Sequence, residues 1–486
     1  MAAMDRDKLY IDGEWVEPSS TATIEVISPL TEEVIATVPE ASNVDVDRAV
    51  AAARRAFDSG PWPQMSPGER ADMMEKISQL LQARYEDVAR TISEEMGSPI
   101  SFSIMGQVFA STMVLDYYTN LAREYQFEDF REGALGPVLV RREPVGVAGC
   151  IVPWNVPLFT IMLKMGPALA SGSTVVLKPA PETPLDAYLL ADVIEEVGLP
   201  AGVVNIVAAG RGVGEHLVTH RDVDKISFTG STAAGKRIGA LCGAQLKRCT
   251  LELGGKSAAI ILDDADLATA IPGLLPNSIM NNGQACIAQT RILASRARYD
   301  DVVDALAAAM SAAKVGAPLD PETVVGPLVA SRQRDRVEGF IAKGREEGAR
   351  VVVGGGRPAE FDTGWFVEPT VFADVDNKMT IAQEEIFGPV LAVIPYDTPD
   401  DAVRIANDSD YGLAGSVWTS DVASGLDIAK RVRTGTYGVN GSSMNFAAPF
   451  GGYKQSGSGR ELGPEGLEEY LELKGINMPA GWTPAA

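Results

Sequence analysis

The sequence predicts an α/β protein made of two doubly wound α/β units and a small extended β arm. Three observations lead there. At 486 residues the chain exceeds what one hydrophobic core ordinarily supports, so two or three domains are expected. From Val145 onward, short apolar runs alternate with helical stretches, the pattern of parallel strands joined by crossover helices. After Gly255 a second alternation of the same kind begins.

In chain order, residues 8–40 read as short strands, with an Asp12-Gly13 turn between apolar runs. Residues 44–58 and 66–96 change to helical periodicity, with Met73, Met74, Ile77, Leu80, Leu81 and Val88 near i, i+3, i+4, i+7 spacing; this stripe is core packing. Residues 126–145 form an extended arm that Pro144 closes. The first unit then has apolar runs at Val145–Val152, Thr174–Leu177, Val203–Val207 and Lys225–Phe228, with a helix at Leu185–Val197. In the second unit, Ala258–Leu262, Ile292–Leu293, Val351–Val353, Val390–Ile394 and Val417 are strand positions, and Ala270–Met280 and Val302–Ala313 are helical. Doubly wound sheets bind nucleotides beyond the carboxyl ends of their strands.

Composition narrows the function. Hydrophobic residues make up 46% and charged residues 22%, a soluble globular balance. Forty-two basic against sixty-five acidic side chains leave a formal charge of −23, which argues against nucleic acid and anionic membranes as partners. Four cysteines (Cys150, Cys242, Cys249, Cys286) are too sparse for a disulfide framework, and no Cys-x-x-Cys or Cys/His cluster suggests a metal. His216 and His220, an i, i+4 pair, read as a solvated helix face. Met1–Asp7 lacks an apolar signal core and no uncharged run of about 20 apolar residues exists, so a reduced, cytoplasmic protein is expected.

Seven stretches carry chemistry. Cys286, in Gly283-Gln284-Ala285-Cys286-Ile287-Ala288-Gln289-Thr290-Arg291, offers a nucleophile. Glu252, in Leu251-Glu252-Leu253-Gly254-Gly255-Lys256-Ser257, offers a base 34 residues earlier. Taken alone, such a cysteine also reads as a small core residue. In Ile151-Val152-Pro153-Trp154-Asn155-Val156-Pro157 two prolines fix Asn155, whose amide could donate to an oxyanion; taken alone, the motif reads first as a proline-rich turn with a capping asparagine. Lys164 follows nine residues on, with a solvated surface lysine as the competing reading. Phe228-Thr229-Gly230-Ser231-Thr232-Ala233-Ala234-Gly235-Lys236 leaves a strand and opens a helix, where backbone N–H groups could meet a phosphate. It is not the Gly-x-Gly-x-x-Gly fingerprint, and Gly210-Arg211-Gly212-Val213-Gly214 also misses that spacing. Lys178 stands at a strand's carboxyl end in Val175–Glu182. Gln383-Glu384-Glu385-Ile386-Phe387-Gly388-Pro389 reads as a charged turn before a strand. Pro449–Glu461 is a glycine-dense loop that needs unusual backbone angles.

The Gly-Gln-x-Cys-x-Ala-x-x-Arg and Leu-Glu-Leu-Gly-Gly-Lys-Ser frames resemble the aldehyde dehydrogenase superfamily, and further matches run along nearly the whole chain. The resemblance implies a Rossmann-like cofactor domain over 1–125 and 145–255, a catalytic domain over 256–456, and an oligomerisation arm from 126–144 and 471–486, giving a homodimer or homotetramer. It implies an NAD(P)-dependent oxidation of an aldehyde to a carboxylate by Cys286 as nucleophile and Glu252 as base, with Asn155 at the oxyanion and Lys164 nearby. Glu461 matches a second acid that passes protons to Glu252. Around the dinucleotide it places Ile151, Trp154, Lys178, Gly210, Gly230, Ser231, Glu385 and Phe387, and it implies no metal. Where many NAD-preferring relatives carry glutamate three residues after Lys178, this chain has Pro181, with Arg211 in the nearby loop. NADP use therefore stays open, while NAD is expected because proline adds no phosphate donor. Leu163 and Met444 replace tunnel aromatics of several relatives, which disfavours quaternary-ammonium aldehydes. A cysteine hydrolase would want a histidine beside the thiol, and both histidines fall in the nucleotide half. Intact Cys286, Glu252 and Asn155 argue against a silent relative. Acyl transfer to coenzyme A is disfavoured by the presence of Glu252.

Overall fold

The computed structural model describes residues 5–479 together with 481 and 482. Met1–Met4, residue 480 and residues 483–486 (the last two within the expected arm) lie outside the described residues.

Five parallel strands form the centre of the first sheet: Val204–Ile206, Thr174–Lys178, Val147–Ile151, Lys225–Thr229 and Arg248–Glu252, in that spatial order. In chain order this is 3-2-1-4-5, so the connection reverses between Val147–Ile151 and Lys225–Thr229. A ligand crevice opens at such a reversal, outside the carboxyl ends. The first four are buried almost throughout and therefore read as largely apolar runs, whereas Arg248–Glu252 at the end of the series buries only Thr250 and Glu252. The hairpin Leu9–Ile11/Glu14–Val16 extends one edge, turning at Asp12 and Gly13 with φ of 59° and 78°. Gly457–Ser458 runs antiparallel along the other edge.

The second sheet orders Arg350–Val353, Thr370–Ala373, Val390–Tyr396, Gln289–Ser295, Ser257–Ile261, Gly415–Trp418 and Gly438–Val439. All neighbours pair in parallel except Arg350–Val353 at the edge. The expected arm is a three-stranded antiparallel sheet of Glu128–Arg131, Val138–Pro144 and Leu471–Asn477.

Some expectations need correction. The helix expected over 66–96 is two, Pro67–Ala83 and Tyr85–Met96, broken at Arg84 (φ −108°, ψ 17°). Both halves bury the same kind of stripe, with Met74, Ile77 and Leu81 in one and Val88 and Ile92 in the other, so hydrophobic periodicity runs across the break. Ser103–Phe109 is π-helical, a widened turn with no periodic signature. His216 and His220 also share a partner on the solvated surface: their Nε2 atoms lie 2.6 and 3.4 Å from Asp47 Oδ1, on the helix Asn43–Ser59. No helix among the described residues is long and apolar enough to cross a membrane.

Candidate active site

Cys286 sits in the turn that leads into Gln289–Ser295. Three consecutive residues before it, Asn281, Asn282 and Gly283, take left-handed angles (φ 53°, 63° and 73°). Asparagine tolerates that region better than most side chains, and here the side chains also anchor it. Asn282 Nδ2 donates to the Gly97 and Pro327 carbonyls at 2.9 and 2.8 Å, and its Oδ1 accepts from Gly326 N–H at 2.6 Å. Gln284 Oε1 accepts from Val329 N–H at 3.1 Å. A Cβ on Gly283 would overlap the Gly388 carbonyl. Gly283→Ala is therefore expected to destabilise the fold by at least about 3 kcal/mol and to lower activity with it, since backbone cannot yield as a flexible side chain does. Urea unfolding followed by circular dichroism measures this; a loss under about 1 kcal/mol would show that the loop adapts.

Asn155 is buried beside this loop. Its Nδ2 donates to the Gln284 carbonyl at 2.9 Å, while its own carbonyl accepts from Asn281 Nδ2 at 2.7 Å and Gln107 Nε2 at 3.4 Å. The π-helical turn delivers Gln107 to this position. Sequence reasoning did not assign Asn281, Asn282 or Gln107; the Asn-Asn-Gly run was the one available signal, as a left-handed turn.

Glu252 ends its strand on the same side. A Cβ on Gly255 would overlap the Cys286 carbonyl, so glycine there lets the two segments meet. Gly451 plays the same part for the carboxylate, since a Cβ would stand 2.5 Å from Glu252 Oε1. Both carboxylate oxygens are buried without a hydrogen-bond partner. Burial, and then Glu461, push the Glu252 carboxyl well above the usual range, against Lys164 and Arg460. Cys286 is half-buried, and its thiol is pushed up by desolvation, then by Glu385 and Glu252; the backbone N–H groups of Ile287 and Cys286 act the other way.

Lys164 is not a surface lysine. It is fully buried on the helix Pro157–Ser171, with Nζ donating to Thr229 Oγ1 at 2.7 Å and paired with Glu461 Oε1 at 2.6 Å. Glu461 Oε2 has no partner. Lys164 and Glu461 both act electrostatically on Glu252, which places a lysine and a second carboxylate behind it.

The residues expected at the dinucleotide line the carboxyl ends of the first sheet. Ile151 pairs with Phe228 and Lys178 across neighbouring strands. Lys178 Nζ donates to the Pro179 and Ala209 carbonyls at 3.0 and 2.6 Å, and burial lowers it to about 8. Gly210 precedes the helix Arg211–Thr219 and donates its N–H to Glu40 Oε1 at 3.2 Å. Gly230 N–H reaches the Glu252 carbonyl at 3.0 Å, and Ser231 caps Thr232–Ala244 by accepting from Ala234 N–H at 3.3 Å. From the second unit, Glu385 Oε1 accepts from Gly255 N–H at 3.0 Å, and burial raises its carboxyl to about 7. Phe387, at φ 64°, packs edge-on to Trp154 with centroids 5.4 Å apart. A dinucleotide fits this arrangement: the helix at Thr232 begins with a buried, unpartnered Thr232 Oγ1, and glycine at 230 leaves 2.5 Å between a would-be Cβ and the Phe228 ring.

Comparison with known proteins agrees. The aldehyde dehydrogenase family profile matches residues 15–476. A geranial dehydrogenase of Castellaniella defragrans is 48% identical, covering 98% of this chain and 99% of its own. The crystal structure of a Mycobacterium tuberculosis aldehyde dehydrogenase complexed with NAD+ superposes with a TM-score of 0.98 at 52% identity, covering 99% of this chain and 100% of its own. A mutant aldehyde dehydrogenase of Pseudomonas syringae, in complex with NAD+ and octanal, gives 0.93 at 44% identity, covering 99% and 98%. The chain belongs to the aldehyde dehydrogenase family and is an oxidoreductase acting on aldehydes.

Proposed function

We propose that this protein oxidises an apolar aldehyde to its carboxylate with NAD+, using Cys286 as nucleophile and Glu252 as base. One observation carries the reading: a half-buried thiol and a buried carboxylate with no protein partner meet where the two sheets' strand ends converge. Cys286, as thiolate, adds to the carbonyl carbon. The oxyanion receives the Cys286 backbone N–H and the Asn155 amide hydrogen that Gln284 leaves free. When bound, NAD+ supplies the hydride acceptor that takes the adduct to a thioester. Glu252 then takes a proton from the water that cleaves the thioester, and Lys164 with Glu461 holds the field behind it. Ile151, Trp154, Lys178, Gly210, Gly230, Ser231, Glu385 and Phe387 would hold the dinucleotide.

Phe159, Leu163, Ile287, Met444 and Phe446 gather with Cys286 around one apolar cluster, the Phe159 and Phe446 rings 6.4 Å apart. All five are apolar, so a carboxylated semialdehyde would bring its charge against side chains that cannot pair it. We expect kcat/KM for a medium-chain apolar aldehyde to exceed that for such a semialdehyde by at least about 100-fold, followed as NADH absorbance. Absence of reduced cofactor with every aldehyde tested would sink the function; a reversed preference would sink the apolar tunnel.

The preference for NAD+ has a local cause. Glu40 and Glu182 both act on Lys178 at the strand end, and Glu40 is fixed by Gly210 N–H. Their negative field would oppose a 2′-phosphate there, in place of the acid missing at Pro181. Glu40→Gln should raise kcat/KM with NADP+ by about tenfold, equal to about 1.4 kcal/mol. No change would assign the preference elsewhere.

For the domain division (1–125 and 145–255; 256–456; 126–144 with 471–486), the separate sheets of the two units and of the arm are the support. The exposed Leu473 on the edge strand Leu471–Asn477 supports assembly of a homo-oligomer through the arm.

A further inference from the structure

The helix Thr232–Ala244 lies against the strand Arg248–Glu252, and glycines show the register between them. A Cβ at Gly235 would overlap the Leu253 side chain, and one at Gly239 would lie 3.4 Å from Leu251 Cδ1. Each helical turn forward thus meets the strand two residues further back. One more turn sets Cys242 against Cys249. Both belong to one apolar cluster, with Cys242 buried and Cys249 partly exposed, and each thiol is the leading influence on the other's ionisation. The chain between them is tight: Gln245 and Lys247 N–H both donate to the Cys242 carbonyl at 3.0 Å.

We infer that Cys242 and Cys249 form a dithiol that a peroxide closes to a disulfide. One sulfur takes one peroxide oxygen as a sulfenic acid, and the other oxygen leaves as water. The remaining sulfur then displaces the second water as the S–S bond forms, so two thiol hydrogens and two electrons pass to the peroxide. Cys249, with Lys247 and Lys225, lowers the Cys242 thiol against its burial, while Cys242 and burial raise the Cys249 thiol, so the thiolate of the pair is on Cys242. The bridge forms on the helix-facing side of the strand. Thr250 and Glu252 face the other way, Thr250 accepting from Lys225 Nζ at 2.5 Å. Oxidation therefore ties the helix that opens at Ser231 to the strand that ends at Glu252, without occupying the aldehyde site. The inference stands independently of the proposed reaction.

Tryptic mapping tests it. Cleavage after Arg237, Lys247, Arg248 and Lys256 places Cys242 in Ile238–Lys247 and Cys249 in Cys249–Lys256. Full-length protein carrying Cys286→Ala, which removes a competing thiol, is treated with hydrogen peroxide, alkylated and digested. We expect the two peptides linked, about 2 Da lighter than their reduced sum, separated by dithiothreitol and unlinked in Cys249→Ser. The unsubstituted protein should yield the same link, so the result does not depend on either variant's folding. Separate alkylated peptides, sulfinic or sulfonic acid at either position, or a link to Cys150 would overturn the inference.

Discussion

Cys286→Ala is expected to cut NADH production by at least about ten-thousandfold while the protein folds and binds NAD+ as before. Covalent catalysis has no substitute once the nucleophile is gone, and losses of this order accompany its removal in other enzymes. The fold should survive because the loop is held by its neighbours, through the Asn282 and Gln284 anchors and the Gly255 contact, none of which uses the sulfur. Steady-state assays beside a thermal melt separate the two effects. A variant keeping more than about one part in a hundred of the activity would remove Cys286 from the reaction. The same site fixes a pH trend in the unsubstituted enzyme. Desolvation, then Glu385 and Glu252, raise the thiol, so its reactive thiolate grows as pH rises. Glu252 is also raised, and its basic form grows in the same direction. Activity should therefore climb with pH across the neutral range.

How much of this was legible in the sequence depends on how local each signal is. The helix Leu185–Val197 has the bounds its pattern predicts, because Pro184 precedes it and Gly198 ends it at a left-handed φ of 72°. Buried parallel strands announce themselves as apolar runs; the structure lengthens two of them by one or two residues and extends Ile292–Leu293 to Gln289–Ser295. The break at Arg84 and the π-helical turn at Ser103–Phe109 leave no such mark, since hydrophobic spacing continues past the first and tertiary packing sets the second. At the site, Cys286 and Glu252 are legible through the frames Gly-Gln-x-Cys-x-Ala-x-x-Arg and Leu-Glu-Leu-Gly-Gly-Lys-Ser that hold them. Lys164 did not declare its burial: its partner Glu461 is 297 residues away, beyond any local pattern. Asn281 and Asn282 hold the nucleophile loop through side-chain bonds to Asn155 and to Gly97 and Pro327 carbonyls, contacts that exist only after folding.

Glu252→Gln separates the two halves of the reaction. Thioester formation asks the carboxylate only for its field, whereas hydrolysis asks it to take a proton from water. Glutamine keeps the shape and cannot accept that proton, so turnover should fall by about 100- to 10,000-fold, the range for a lost general base. The first turnover should persist as a burst of NADH close to one equivalent per active site. The burst should be at least as fast as in the unsubstituted enzyme, because the negative charge that helps to raise the Cys286 thiol has gone. Packing permits this clean a substitution: the Glu252 oxygens have no hydrogen-bond partner to lose, and Gly451 leaves room beside Oε1 for an amide. Stopped-flow absorbance with one aldehyde decides it. Slow turnover without a burst would place Glu252 before the thioester, activating the thiol. Full steady-state activity would transfer the role of base to Glu461, the buried carboxylate next in line with an unpartnered oxygen.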